Sequence, residues 1–269
     1  MKSGFHVFLA SFIALGLSWC GFVFAPAKQL GTEKQAAVLN STDVYPIQRT
    51  GDAALGLQVY RANGCAACHT EQVRQDGVVC EVVLTSTGKN PAAVSNLVSA
   101  LKLSGKLSGL TKDEANAVSD QITAAGGKSE THILPVGPDI PRWGLRRSVA
   151  ADYLYDAPVQ LGSLRAGPDL SNIGVRDPDL NWQLVHLYSP KAFVKKSAMP
   201  PFRYLFELRK KVHGVASSDA LQFPPVFAPP AEFEVVPTPE AKQLAAYLLS
   251  LKAGAPLYEA PFTSAIAKP

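Results

Sequence analysis

Gly64-Cys65-Ala66-Ala67-Cys68-His69 is the stretch on which the reading of this 269-residue chain turns. Two cysteines three apart, followed at once by a histidine, form the attachment signature of a c-type haem. The spacing has a chemical reason. Two thiols on one helical turn can each form a thioether with a haem vinyl group, and the adjacent imidazole can take the proximal position on the iron. Two covalent bonds make loss of the group effectively irreversible. A zinc site would want a second Cys/His pair at zinc spacing, and none follows. A redox dithiol has no need of the trailing histidine. Cys65, Cys68 and His69 are therefore the expected covalent and axial contacts of one haem c.

Upstream of the motif, Asp52 to Arg61 reads as a short amphipathic helix with Asp52 as its N-cap. Far downstream, Thr238-Pro239-Glu240 supplies a cap, a first-turn proline and an early acid. Leu244, Tyr247, Leu248 and Leu251 then repeat at helical spacing. The pair looks like the first and last helices of a cytochrome c fold, which cross at a small residue. Gly56 is the expected point of approach, with Tyr60 and Tyr247 beside it.

The apolar fraction, 47%, is that of an ordinary globular protein. A net charge of +4 is too small to argue for nucleic acid, and no basic stripe is interleaved with aromatics. Cys20 lies in an apolar run and Cys80 in a strand-like one, so no disulfide between them is expected. From Phe5 to Ala25 there is no Asp, Glu, Lys or Arg, enough to span a hydrocarbon core of roughly 30 Å. A cleaved signal peptide is the competitor, since Ala25-Pro26-Ala27 has small residues at suitable spacing. The length of the apolar run and the proline argue against cleavage. Residues 1–27 are thus read as a single membrane anchor and 28–50 as a polar tether. Lys2 orients the anchor with its start inside. Haem attachment takes place outside the bacterial cytoplasm, so the haem domain is expected on the periplasmic side of the inner membrane.

After the motif comes an interruption. Val78 to Leu84 is rich in β-branched residues. Asn90-Pro91 opens a helix whose Val94, Leu97, Val98 and Leu101 share one face. Thr111 to Glu114 forms a capping box for a second helix with Ala115, Val118 and Ile122 inward. Gly126-Gly127 stops it, and Ser129 to Leu134 returns as a strand. This β-α-α-β unit, residues 79–134, resembles an abridged C-terminal domain of the bacterial ribosomal stalk protein. It carries no metal-ligand cluster and is read as a structural or partner-binding insert.

Residues 142 to 206 carry the family resemblance. Arg142-Trp143-Gly144 leads through Tyr155-Asp156-Ala157-Pro158 to Gly162-Ser163-Leu164-Arg165-Ala166-Gly167-Pro168-Asp169-Leu170. Asn181-Trp182 through His186 follows, then Ser197-Ala198-Met199-Pro200-Pro201. In order and spacing this string resembles the mono-haem subunit II of the cbb3-type (C-family) haem-copper cytochrome c oxidases. Two departures stand out. The family's histidine in Tyr-Asp-His-Pro is Ala157, and the β-α-α-β unit intervenes where the family passes directly on.

Met199 is the only methionine beyond Met1, hence the only other thioether for the sixth iron position. His186 is the alternative, though its helix more plausibly packs on the porphyrin. Arg165 is a candidate partner for a haem propionate, a solvated surface arginine being the other reading, and Pro168 is a further cofactor contact. Arg209-Lys210-Lys211 is expected on a solvated helix face, and residues 223–239 as extended chain around the domain.

Together these readings give a mainly α fold. A cytochrome c domain (51–78 and 135–253) follows an N-terminal transmembrane helix, carries an inserted small α+β module and ends in a tail, 254–269. The resemblance implies an electron-relay subunit in aerobic respiration. Its partners would be the catalytic haem-copper subunit, other haem c subunits, an electron-donor cytochrome and the membrane. The alternatives are the mono-haem subunit of a nitric oxide reductase and a haem-based sensor or partner-binding module.

Overall fold

A computed structural model of the chain describes residues 2–137, 139–140 and 142–260. The end of the expected tail, 261–269, lies outside the described residues. Helix α1 (Lys2–Trp19), a π-helical turn (Cys20–Phe24) and α2 (Ala25–Thr32) follow one another directly. Within them Gly4–Gln29 has a mean hydropathy of 2.1 and is long and apolar enough to cross a membrane, a pattern that signal sequences share. Its large apolar side chains, including Phe8, Phe12 and Leu15, are exposed. Helix thus continues five residues into the segment expected as tether. The rest of that segment is partly ordered, because β1 (Ala36–Ala37) pairs antiparallel with β2 (Val44–Tyr45).

Helix α3 (Gly51–Ala62) leads to the haem-type motif. Its N-cap is Thr50, and the expected cap, Asp52, lies in the first turn, where its charge opposes the positive end of the helix dipole. Near the far end of the chain, α8 (Pro239–Ser250) is capped by Thr238, whose hydroxyl accepts from the Ala241 N–H. The two helices cross at Gly56. A Cβ there would overlap the carbonyl oxygen of Gln243 and lie 2.8 Å from Tyr247 Cβ. The absent side chain brings the backbones close enough for the buried Tyr60 and Tyr247 rings to pack at 5.1 Å. Leu170, Ile173, Leu184, Val235 and Leu244 complete the main core around them.

A second core lies between. Strand β3 (Gly77–Ser86) is followed by α4 (Pro91–Leu103), α5 (Lys112–Ala124) and β4 (Lys128–Val136). The strands pair antiparallel from Gly77↔Val136 to Ser86↔Lys128. Asn90 caps α4 and Thr111 with Glu114 forms a full capping box on α5. Cys80, Val82, Val94, Val98, Ala115 and Ile122 form a separate apolar cluster. Burying each larger aliphatic side chain contributes roughly 1.5–3 kcal/mol.

The remaining elements close over the main core: α6 (Ile173–Arg176), α7 (Leu180–Tyr188) and the antiparallel pair β5 (Phe206–Lys210) and β6 (Phe233–Pro237). Two expectations change here. Arg209 and Lys210 lie on a strand rather than a helix. The Phe206-Glu207-Leu208-Arg209-Lys210 run alternates with period two, and Arg209 faces Glu234 across the ladder at 2.7 Å. Likewise the proline-rich stretch 223–239 is not wholly unpaired extended chain. Phe233 to Pro237 supplies the partner strand, its proline at the strand end where a missing N–H costs least.

Candidate functional site

The motif sits where α3 ends. Cys65–Ala67 forms one 3-10 turn, closed by the Cys68 N–H donating to Cys65 O (3.2 Å) and the His69 N–H donating to the same oxygen (2.9 Å). Both cysteines are free thiols, Cys65 half-buried and Cys68 exposed. Burial pushes the Cys65 thiol up to about 11.

A loop from the segment 162–170 is strapped along the motif. The Leu164 N–H donates to Ala67 O, the Gly167 N–H to Cys68 O and the Leu170 N–H to Thr70 O, at 3.1, 2.9 and 2.8 Å. The Asp169 carboxylate accepts the Gln72 N–H at 2.7 Å. This strap fixes the histidine. His69 Nδ1 lies 2.9 Å from Pro168 O, which as a hydrogen bond places the proton on Nδ1 and leaves Nε2 as the donor atom for a metal. Gly167 is the floor of the ring: a Cβ there would sit 2.6 Å from Nδ1. Burial lowers the His69 pKa, and the Pro168 carbonyl only partly offsets it. The neutral, metal-binding imidazole is thereby favoured.

Met199 packs, half-buried, against the same core cluster as Cys65 and Ala66. Its N–H donates to Ser197 Oγ at 3.2 Å, and the Phe202 N–H donates to Leu187 O at 2.9 Å, tying the Met-Pro-Pro segment to the end of α7. On α7, His186 stacks on Trp182 with centroids 4.8 Å apart and planes within 3°. Its Nδ1 is buried without a partner. Burial, and then the nearby charge of His69, lower its pKa.

Arg165 is neither solvated nor free. It pairs with the buried Asp139 at 2.6 Å and donates to Gln72 O at 3.1 Å. Asp139 also faces Arg74 at 3.3 Å. A propionate would therefore have to share this guanidinium with a protein carboxylate.

Reading the sequence alone misses Glu71. It is 4% exposed, accepts the Tyr247 hydroxyl at 2.7 Å, and its carbonyl accepts the Tyr153 hydroxyl at 2.9 Å. Burial pushes its carboxyl up to about 8. Arg49 and Asp156, paired at 2.7 Å, line with it a cavity of about 190 Å³. The available signal was Asp156, within the Tyr155-Asp156-Ala157-Pro158 run.

The donor set fits a covalently held haem. Cys65 and the Met199 thioether pack on one core, Cys68 and His69 follow Cys65 in the same turn with the imidazole held by Pro168, and His186 keeps an unpartnered nitrogen.

A family model described as Cytochrome C oxidase, mono-heme subunit/FixO matches residues 128–225. No curated protein matches the chain. The matched stretch includes the strap, α7 and Met199 but not the Cys65–His69 motif. Over that stretch the chain is similar to the mono-heme subunit of cytochrome c oxidase. The likeness of residues 79–134 to the ribosomal stalk protein is unsupported by these comparisons.

Proposed function

We propose that this chain is a membrane-anchored mono-haem cytochrome c that relays electrons to the catalytic subunit of a cbb3-type cytochrome c oxidase. One observation carries the reading. The segment similar to the oxidase subunit is hydrogen-bonded along a C-x-x-C-H motif that lies outside the matched residues. Two independent signatures therefore meet at one place.

Cys65 and Cys68 would hold one haem c through thioethers, and His69 Nε2 and Met199 would supply the axial ligands. When bound, the haem supplies one-electron chemistry, and a His/Met pair sets it at a raised potential. The protein's own part is to hold and shield. Pro168 orients the His69 ring through its carbonyl, and Gly167 leaves room for it. Arg165, held by Asp139, keeps positive charge beside the strap. The domain around this site would be a cytochrome c fold built from 51–78 and 135–253, with 79–134 as an inserted module. The apolar N-terminal helix would anchor it with the haem side in the periplasm. Partners would be the catalytic subunit, further haem c subunits and a donor cytochrome. The oxygen chemistry would belong to the catalytic subunit.

The test is a pair of variants. Cys65→Ala with Cys68→Ala is expected to abolish haem that survives denaturing electrophoresis. Met199→Ala is expected to retain haem, lower its potential and open the iron to carbon monoxide. Covalent haem persisting in the double variant would sink the reading.

A further inference from the structure

One aromatic ladder is unused by the site as described. His186 stacks on Trp182, and the Trp182 ring system also stacks with Phe193 at 5.5 Å with planes 18° apart. The ladder thus runs from the half-buried imidazole of His186, which lies within reach of the charge of His69, to a ring that is 38% exposed. Its outer end sits in an unusual charge setting. Between Asp179 and Glu207 there is no acidic residue, while Lys191, Lys195, Lys196 and Arg203 lie within that stretch. All four are exposed. The three lysines make no ion pair among the described residues. Val194, 45% exposed, extends the apolar centre that Phe193 begins.

An apolar centre rimmed by uncompensated like charge is the pattern of a surface built for fast, weak encounter. Charge steers the partner, and the apolar contact seats it briefly. Positive charge selects a negative partner. Closely stacked rings shorten the through-space gaps between that surface and the site.

We propose that an acidic one-electron carrier protein docks on the face formed by Lys191, Phe193, Val194, Lys195 and Lys196, and that the Phe193–Trp182–His186 stack is the path between that face and the haem. The carrier is oxidised by one electron and the haem iron is reduced from ferric to ferrous. No bond is made or broken, and no proton moves. This inference rests on the relay reading above and names the surface the relay uses.

The test uses the full-length, haem-loaded protein in detergent, with a plant-type [2Fe–2S] ferredoxin as the acidic one-electron probe. Binding is followed by calorimetry and reduction by stopped flow, both at low salt and at high salt. The triple variant Lys191→Glu, Lys195→Glu, Lys196→Glu is expected to lower the association rate on the order of tenfold or more and to lose its salt dependence. Trp182→Leu is expected to slow electron transfer within the complex while leaving the binding constant unchanged. If the triple variant binds and is reduced as the wild type is, the docking face is wrong. If it does so but loses a preference for vesicles containing phosphatidylglycerol over phosphatidylcholine alone, the lysines serve lipid headgroups, and the proposal is equally overturned. Calorimetry reads docking whatever the haem does. A haem that a small uncharged hydroquinone cannot reduce therefore counts against the relay reading alone.

Discussion

The β3–α4–α5–β4 unit and the region around Cys65–His69 are stabilised in opposite ways. The first is sealed by aliphatic side chains. Val94, Ala115 and Ile122 have no exposed surface, and each helix start is capped by its own neighbouring side chain. The second buries polar groups whose hydrogen-bonding capacity is only partly used. Thr70 Oγ1, Asn172 Oδ1 and His186 Nδ1 are buried without partners, and Glu71 is buried as a carboxyl. Buried polar atoms without partners cost about 1–3 kcal/mol each. The β3–α4–α5–β4 unit carries such an atom at His132 Nδ1, against Thr70, Asn172 and His186 around the motif; a region that tolerates several such costs has a task beyond its own folding.

The comparison is open to direct attack, and the largest expected effect comes from the helix crossing. Gly56→Val would drive a side chain into the Gln243 backbone, which cannot retreat without separating α3 from α8. A loss of about 3 kcal/mol or more is expected. Circular dichroism and the haem absorbance should report it together, and a variant with wild-type melting and full haem content would show that the crossing is not required.

Of comparable size is the effect of Ile122→Ala in the second core. A cost of about 2–5 kcal/mol is expected. The loss should appear in the unfolding of α4 and α5, followed by hydrogen exchange, while the haem spectrum stays unchanged. A shifted haem spectrum would mean that the two cores are one.

A smaller effect is expected at Glu71. Its folded-state carboxyl, at about 8, lies above its ordinary value of 4.5. The folded chain therefore holds a proton that the unfolded chain releases. That contribution is fully present below pH 4.5 and is lost as pH rises toward 8. Glu71→Gln keeps an oxygen for the Tyr247 hydroxyl and removes the titration. The melting temperature of the wild type should fall more steeply than that of the variant between pH 5 and 8. Parallel curves would place the ionised form in the folded protein.

The smallest change is expected from the boldest alteration. Replacing residues 79–134 with a short Gly/Ser linker should leave covalent haem and Met199 ligation intact, because Gly77 and Val136 are already paired side by side. High-spin iron or missing haem in that variant would make the segment part of the haem pocket.

Much of this was legible because it is local. The C-x-x-C-H spacing, the capping box at Thr111, the apolar stripe on α8 and the apolar run before Ala25 each lie within a few turns of chain, where residue identity and helical or strand period fix the outcome. The sequence by itself determined that a haem-type motif follows a glycine-bearing helix and that an α-α pair lies between two strands. Its misreadings came where the partner is remote. Arg209 looked helical until Glu234 stood opposite it. The pairing of Arg165 with Asp139 left no local trace, and Glu71 had no local mark of being buried. Only the tertiary structure decided these, because burial, ion pairing and the tautomer of His69 depend on which distant segment is folded against each residue. Pro168 reaches His69 across 99 positions of chain, and Tyr247 reaches Glu71 across 176. Loop closure over such distances leaves no periodicity for the sequence to display.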